Sequence, residues 1–230
     1  MIHLSESLLY DIKIFKKIKN IYVLNNGIKD VNVDKYKKNN SQKTNFLFLS
    51  NLIEEKGVLI ILQAAKTMIQ KGYLNFQINF VGKFESKIFS DSFFSLINDN
   101  QLNDYVSYLG PKYDEEKNIT LAKSDIFILP TFYKFECFPL VLLEAMQFSL
   151  PVVSTNEGAI CDIVENKVNG LICNKKDHKD LANKLIYLIK NKNLQEEMSL
   201  NSRKKFLEKY TMKKFENNLS GILVKELDSN

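Results

Sequence analysis

The chain has 230 residues, of which 45% are apolar, and its 32 basic and 27 acidic side chains give a net charge of +5. Its longest apolar runs, such as "VLIILQAA", are far shorter than the roughly 20 residues that cross a bilayer, so no membrane-spanning helix is predicted. Every basic residue except Arg203 is a lysine. Because base-specific readers of nucleic acids depend on bidentate arginine, we expect no nucleic-acid partner.

The cysteines and histidines show no metal-binding or disulfide pattern. Cys137, Cys161 and Cys173 form no C-x-x-C pair, and His3 and His178 are isolated in the sequence. We therefore expect neither a disulfide framework nor a metal site. The N-terminus lacks a basic start followed by an apolar core, so no secretory signal is predicted and a cytoplasmic location is favoured.

The N-terminal segment predicts an amphipathic helix. Leu8, Leu9, Ile12 and Phe15 recur at helical spacing, with lysines on the other face. Packing against a sheet is the favoured interpretation. Peripheral contact with an anionic membrane surface stays open as the alternative, because basic amphipathic helices bind such surfaces.

Short apolar runs alternate with helical segments from about residue 20 to residue 175. The runs lack the period-two alternation of half-exposed strands, and the helices between them serve as crossovers of a parallel sheet. The sequence therefore predicts an α/β fold with a doubly wound, Rossmann-like parallel sheet. Predicted strands span 20–24, 45–50, 76–81, 106–110, 126–130, 151–155 and 170–173, and predicted helices span 57–71, 87–100, 114–123 and 139–148.

After residue 176 the pattern is helical alone. Helices are predicted over 178–190, 193–208 and 212–227. Asp177 and Thr211 are the expected N-caps of the first and last of these. Residues 30–44, "DVNVDKYKKNNSQKT", form the most linker-like stretch.

The loop "NLIEEKGV", after the predicted strand 45–50, is a candidate anion site. Asn51 opens this loop, and Lys56 and Gly57 stand where the next helix begins. A helix N-terminus offers unpaired N–H groups and a positive dipole end, and a lysine beside it adds a full charge, which together suit a phosphate. A Lys-Gly pair at a helix start is also common without a ligand, and both interpretations stay open.

The loop "TFYKFECFP", after the predicted strand 126–130, leads into a second helix and brings two carboxylates with it. Pro139 fits the first helical turn, so Phe138 and Leu140 mark the helix N-terminus. Glu136 precedes the helix, and Glu144 lies inside it among apolar residues that predict burial around nearly its whole circumference. A buried carboxylate is costly without partners. Glu144 is therefore a candidate for binding ligand hydroxyls, with a structural hydrogen bond to nearby backbone as the alternative.

Two further glycines follow strands in the same way. Gly110 and Gly158 each mark either a simple turn or a close approach of the backbone to a ligand. Neither G-x-G-x-x-G nor G-x-x-x-x-G-K-[ST] occurs, which disfavours a nicotinamide or flavin enzyme and a P-loop nucleotidase. No cofactor is predicted.

These motifs together resemble the C-terminal, donor-binding half of a retaining GT-B glycosyltransferase of family 4, also called group 1. Glu136 and Glu144 resemble the E-x7-E element of that family, and "AMQFSLPVVST" follows in step. Further matches run in order along the chain: "LNNGI" at 24–28, "LSNLIEEKG" at 49–57, "AKSDIFILPT" at 122–131 and "EGAICDIVENKVNGLIC" at 157–173. The resemblance covers about residues 20–225.

The resemblance assigns roles to matched residues. It implies that Lys56 binds the diphosphate of a nucleotide sugar and that Glu144 binds the ribose hydroxyls. Glu136 would face the transferred sugar as the catalytic residue, and the helix start after Phe138 would hold the diphosphate or sugar through backbone N–H groups. The implied partners are a nucleotide sugar, such as a UDP- or GDP-sugar, and a saccharide or lipid-linked acceptor.

Three departures from the family pattern affect this site. Asn51 stands where the family has the arginine that accompanies the lysine, so one positive charge is missing. Cys137 and Pro139 replace two glycines, and Pro139 removes one N–H donor. Ala159 replaces the second glycine of a pair.

The resemblance also implies a preceding acceptor-binding domain, of which residues 1–19 would be the end, namely its last strand and helix. Residues 20–210 would be the nucleotide-sugar-binding domain, and residues 211–230 a C-terminal helix. We expect such a chain to bind donor but to transfer sugar poorly without that N-terminal half, which could be a separate partner. Two alternatives stay open: a non-catalytic nucleotide-sugar-binding module, and a nucleotide-sugar epimerase, which shares the GT-B fold.

Overall fold

The computed structural model describes residues 1–8, 20–36 and 41–228. The predicted N-terminal helix lies mostly outside these residues, as does the middle of the predicted linker. Of the helices in the described ranges, none is long and apolar enough to cross a membrane. The predicted domain boundaries at residues 19 and 210 stay predictions.

A six-stranded parallel sheet forms the centre of the fold. Its strands are β3 (Thr44–Leu49), β4 (Phe76–Val81), β5 (Val106–Tyr108), β6 (Ile126–Leu129), β7 (Val152–Thr155) and β8 (Gly170–Cys173). Their spatial order is β5-β4-β3-β6-β7-β8. The chain therefore builds outward from β3 in one direction and then returns to the other side of β3 with β6. This reversal is the topological switch point of a doubly wound sheet, as predicted.

Helices cover the sheet and follow the predicted order. They are α1 (Val58–Gln70), α2 (Lys87–Asp99), α3 (Asp114–Ala122), α4 (Leu140–Gln147), α5 (Ile160–Ile163), α6 (His178–Lys190), α7 (Lys192–Lys209) and α8 (Met212–Asp228). Each predicted boundary lies within about two residues of the observed one, which is the usual uncertainty of helix and strand ends.

The apolar strands predicted to be buried on both faces occupy the middle of the sheet. All four residues of β6 and of β7 are buried, and Phe46, Leu47 and Phe48 of β3 have no exposed area. In β4 the pattern differs from the prediction: Gln77 and Asn79 alternate with buried residues and stay partly exposed. One face of β4, next to the edge strand β5, is thus only partly covered.

Side chains cap the C-terminal helices where the sequence predicted. Asp177 accepts hydrogen bonds from the N–H groups of Lys179 (3.0 Å) and Asp180 (2.9 Å) at the start of α6. The hydroxyl of Thr211 accepts one from the N–H of Lys214 (3.3 Å) at the start of α8. Both caps satisfy N–H groups that have no partner within the helix.

The N-terminal residues form a short strand that lies apart from the six-stranded sheet, as does the predicted strand 20–24. β1 (Ile2–His3) pairs in parallel with β2 (Tyr22–Val23). Ser5 and Ser7 bind the carboxylate of Asp162 in α5, with the Ser7 N–H at 3.0 Å and its hydroxyl at 2.8 Å. Because β1 has only two residues, too few for a periodic pattern, a strand within residues 1–19 was implied by the resemblance alone.

Candidate functional site

The loops that follow β3 and β6 meet at the switch point of the sheet. Because these two strands are neighbours, their carboxyl ends lie side by side. The carbonyl of Glu55 accepts hydrogen bonds from the N–H of Phe132 (2.7 Å) and the hydroxyl of Thr131 (3.2 Å), which ties the two loops together. Ligands of open parallel sheets bind at this kind of crevice.

Lys56 and Glu136 form the centre of the site. Lys56 Nζ donates to Glu136 Oε2 at 2.6 Å, and the two side chains are only 14% and 7% exposed. The Lys56 ammonium also lies 5.0 Å from the centre of the Tyr133 ring, a cation–π contact. The structure therefore joins the predicted anion-binding lysine directly to the predicted catalytic carboxylate.

Gly57 allows the Lys56 loop to approach β6. It has φ +81° between a short 3-10 turn, Glu54–Lys56, and α1. A Cβ atom there would lie 2.3 Å from the carbonyl oxygen of Pro130. Only glycine combines this left-handed conformation with this closeness, so Gly57 positions Lys56 as well as starting the helix.

Gly158 brings the loop after β7 against the same place. It has φ +53°, and a Cβ atom there would lie 2.0 Å from the carbonyl oxygen of Glu136. The N–H of Ala159 donates to the carbonyl of Cys137 at 2.8 Å. Gly158 is therefore a turn residue. It also makes a close approach, but to the backbone of the Glu136 loop and not to a ligand.

Glu144 has a different cationic partner. Lys117 Nζ of α3 donates to Glu144 Oε1 at 2.5 Å, and the side chains are 26% and 23% exposed. Sequence reasoning missed Lys117, because nothing in the sequence shows which helices face each other. The structural alternative, a hydrogen bond from Glu144 to nearby backbone, is not the observed contact.

The start of α4 differs from the prediction in two respects. Pro139 is the N-cap residue, with φ −70° and ψ 106°, and the helix begins at Leu140, so Pro139 lies just before the first turn. Leu140 is 45% exposed, so α4 is not buried around nearly its whole circumference. Phe138 is buried, with its ring packed edge-on against Tyr210, so only its backbone can meet a ligand.

Asn51 and Gly110 lie at the ends of β3 and β5, beside a recess. That recess is lined by residues from three loops, namely Leu49, Ser50, Asn51, Val81, Gly82, Lys83, Pro111, Lys112 and Tyr113. Gly110 has φ +72° and open space around its α-carbon, which makes it a turn residue. Sequence reasoning missed Gly82, where a Cβ atom would lie 1.8 Å from the carbonyl oxygen of Ser50. Its signal was available, since it directly follows the apolar run "FQINFV".

Two other recesses lie away from the strand ends. One is lined by Glu6, Asp162 and Tyr210 among others, and the other by Glu165, Asn201 and the lysines of α7. Neither includes a residue of the loops after β3 and β6. We take the switch point as the candidate site, because the loops after β3 and β6 meet there and the Lys56–Glu136 pair joins them.

Burial and hydrogen bonds shift the pKa values of two groups outside the Lys56–Glu136 pair, Cys173 and Asp162. Burial raises the pKa of the Cys173 thiol to about 12, so this cysteine is a packing residue rather than a nucleophile. Burial tends to raise the pKa of Asp162, but the hydrogen bonds from Ser5 and Ser7 outweigh it, so the pKa lies below its ordinary value of 3.8. Across residues 1–8, 20–36 and 41–228, no group of three or more His, Cys, Asp or Glu side chains is arranged to hold a metal ion.

Comparisons with known proteins agree on one family. The family model described as "Glycosyl transferases group 1" matches residues 30–205. An uncharacterized glycosyltransferase of Methanocaldococcus jannaschii is 30% identical over 168 residues, covering 73% of this chain and 44% of that protein. The capsular polysaccharide biosynthesis glycosyltransferase CapM of Staphylococcus aureus is 26% identical over 183 residues, covering 79% and 44%. The chain thus spans less than half the length of these relatives.

A solved structure shows the same fold. The crystal structure of Anabaena HepE in complex with UDP-glucose has a TM-score of 0.80 and 19% sequence identity, and it covers 97% of this chain and 63% of that one. The predicted α/β architecture is therefore that of GT-B glycosyltransferases.

Proposed function

The chain belongs to the glycosyl transferases group 1 family, and on this basis we propose that it binds a nucleotide-diphosphate sugar at the switch point, for transfer to a saccharide or lipid-linked acceptor with retention at the anomeric carbon. The contact between Lys56 and Glu136 at 2.6 Å carries the proposal, because it joins a cation for the diphosphate to a carboxylate for the sugar in one crevice. The UDP-glucose complex of HepE and the similarity to CapM, a capsular polysaccharide biosynthesis glycosyltransferase, support it.

In the proposed complex, the diphosphate lies against Lys56 and the first turn of α4. The N–H groups of a first helical turn have no partner within the helix, and the helix dipole favours negative charge there. As the bond to the sugar breaks, negative charge grows on the diphosphate leaving group. A lysine and oriented amides in a largely buried crevice stabilise that charge, which is the larger part of catalysis in such a reaction.

The two carboxylates would contact opposite ends of the donor. Glu136 lies before α4 and beside Lys56, so we assign it to the hydroxyls or the developing positive charge of the transferred sugar. Glu144 lies inside the helix and is partly exposed, and we assign it to the ribose hydroxyls. A carboxylate accepts several hydrogen bonds, so Glu144 can hold a diol while it remains paired with Lys117.

Donor binding is tested by isothermal titration calorimetry of the chain with UDP, GDP and their sugars. We expect one of the nucleotides to bind, and we expect Glu144→Ala to weaken that binding. Incubation with nucleotide sugars and acceptors, with product analysis by NMR, tests transfer and donor hydrolysis. Absence of binding by every nucleotide tested would contradict the proposal.

A non-catalytic nucleotide-sugar-binding module is the second candidate. It is favoured by the departures at Asn51 and Pro139, which leave one positive charge and one N–H donor fewer for a departing diphosphate than the family pattern provides. The same two experiments separate the candidates: binding with neither transfer nor hydrolysis supports the module. Addition of a separately produced acceptor-binding domain restores transfer only under the first candidate. We place either activity in the cytoplasm, where nucleotide sugars are available to the biosynthesis of surface polysaccharides.

A further inference from the structure

Two lysines contact the predicted site carboxylates in the described part of the chain. Lys56 comes from the loop after β3, whereas Lys117 lies outside the loops after β3 and β6. It lies in α3, which precedes β6, whereas Glu144 lies in α4, which follows that strand. Lys117 Nζ and Glu144 Oε1 are 2.5 Å apart, a charge-assisted hydrogen bond. Twenty-seven residues separate the two in the chain, so the contact depends on the tertiary fold.

The burial of this pair sets it apart from ordinary surface ion pairs. Both side chains are about a quarter exposed, at 26% and 23%. By contrast, the ion pair between Lys35 and Glu115 has side chains that are 50% and 59% exposed. Exposed pairs contribute little because water and salt screen them, whereas screening is weaker where both partners are largely covered.

Other contacts already hold α3 in place. Leu121 has no exposed area and anchors the helix in the core. Asn118, which also lies in α3, donates from its side chain to the hydroxyl of Tyr36 at 3.0 Å. Since the helix is anchored by these groups, the ion pair of Lys117 acts mainly on Glu144.

We propose that Lys117 is a positioning residue that prepares Glu144 for the donor. It holds one carboxylate oxygen, Oε1, and leaves Oε2 to accept the hydroxyl groups of the ribose. It also neutralises the carboxylate, which would otherwise repel an anionic diphosphate bound in the same crevice. This inference rests on the proposed function, in which Glu144 binds the ribose.

The inference makes a prediction about the sugar of the nucleotide. If Lys117 acts through Glu144 on the ribose hydroxyls, its removal must weaken binding of UDP or GDP more than binding of their 2′-deoxy counterparts. A residue that only supported the fold would weaken both alike. The ratio of the two affinities therefore separates positioning from structural support.

The experiment measures the dissociation constants of UDP, GDP, dUDP and dGDP by calorimetry. We expect Lys117→Gln to weaken ribonucleotide binding by about tenfold, the effect of one charge-assisted hydrogen bond, and to reduce the preference over the deoxynucleotide. Lys117→Arg keeps the charge and should restore most of the affinity. In a Glu144→Gln background, Lys117→Gln should have no further effect, because the two act as one unit.

Lys123→Gln is the matched control, since Lys123 is an exposed lysine at the end of the same helix. It should behave like the wild type, and thermal unfolding confirms that each variant is folded. Unchanged affinity and unchanged ribose preference in Lys117→Gln would overturn the inference, as would an equal loss for ribo- and deoxynucleotides. Failure of the wild type to bind any of the four nucleotides would instead overturn the proposed function.

Discussion

Glu136→Gln should tighten the binding of a nucleoside diphosphate while it abolishes sugar transfer. In the structure Lys56 is paired with Glu136, so under the proposed function a diphosphate that binds Lys56 would have to displace the carboxylate. The amide of glutamine has nearly the same shape but no charge, so it competes for Lys56 far less. The variant therefore leaves the lysine free for the ligand and removes a negative charge beside it.

The structure gives the size of the effect. A hydrogen bond between charged partners contributes about 1.5–3 kcal/mol, or a factor of roughly 10 to 100 in a dissociation constant. Lys56 retains 14% exposure and also contacts the Tyr133 ring, so part of the ion pair is replaced by water and by the ring when Glu136 is lost. We therefore expect the lower end, a gain of about tenfold for UDP or GDP.

The nucleotide sugar should respond differently. Its sugar loses the contacts that we assign to Glu136, so the gain for UDP- or GDP-sugar should be smaller than the gain for the free nucleotide. Calorimetry with both ligands measures the two changes on the same protein. Glu197→Gln serves as the control, because it removes an exposed carboxylate from α7, outside the loops that follow β3 and β6.

A weaker or unchanged affinity of Glu136→Gln for both UDP and GDP would refute the reasoning. It would show that the carboxylate does not compete for Lys56. Lys56→Met provides the complementary measurement, since it should lower nucleotide affinity whether or not Glu136 is present. If Lys56→Met bound as well as the wild type, the lysine would not be a diphosphate ligand.

Three further predictions concern the fold. Gly57→Ala should lower the free energy of unfolding by about 1–3 kcal/mol more than Gly72→Ala in urea denaturation, because both glycines have φ +81° but, of the two, only Gly57 would bring a Cβ atom against the backbone of Pro130; equal losses would contradict the close approach. Asp162→Asn should destabilise the protein at neutral pH, and the difference from wild type should shrink as the pH falls through the lowered pKa of Asp162, below 3.8; a difference that grew on acidification would have the wrong sign. Iodoacetamide at neutral pH should label the two exposed cysteines of the folded protein and spare Cys173, as mass spectrometry would show, and rapid labelling of Cys173 would contradict its burial.

The sequence predicted the sheet because its strands are continuous apolar runs. Residues such as Phe46, Phe127 and Val153 are buried by the layers of helices on both faces, and that requirement is visible in one dimension. The nearness of Lys56 and Glu136 could also be predicted, because both follow parallel strands and the carboxyl ends of neighbouring parallel strands share an edge. Strand order was still needed to make β3 and β6 neighbours.

The contact between Lys117 and Glu144 could not be predicted from the sequence, because it depends on how two helices pack. Lys117 is one of 32 basic residues, and nothing near it in the chain marks it as the partner of Glu144. The exposure of Leu140 likewise depends on which side of α4 the rest of the fold covers. Periodicity predicts that a helix has a buried face but not where along its length the burial ends.

The replacement of the family's arginine by Asn51 affects the charge balance of the site. Lys56 is neutralised by Glu136, and Lys117 by Glu144, so these four side chains carry no net charge when no ligand is present. With asparagine in place of the family's arginine, no unpaired cation is added at that position. Under the proposed function, an anionic donor would gain positive surroundings by displacing Glu136 from Lys56 and by binding the N–H groups of the first turn of α4. The donor's diphosphate would thereby release Glu136 to the sugar, so that binding the leaving group prepares the carboxylate for its own role.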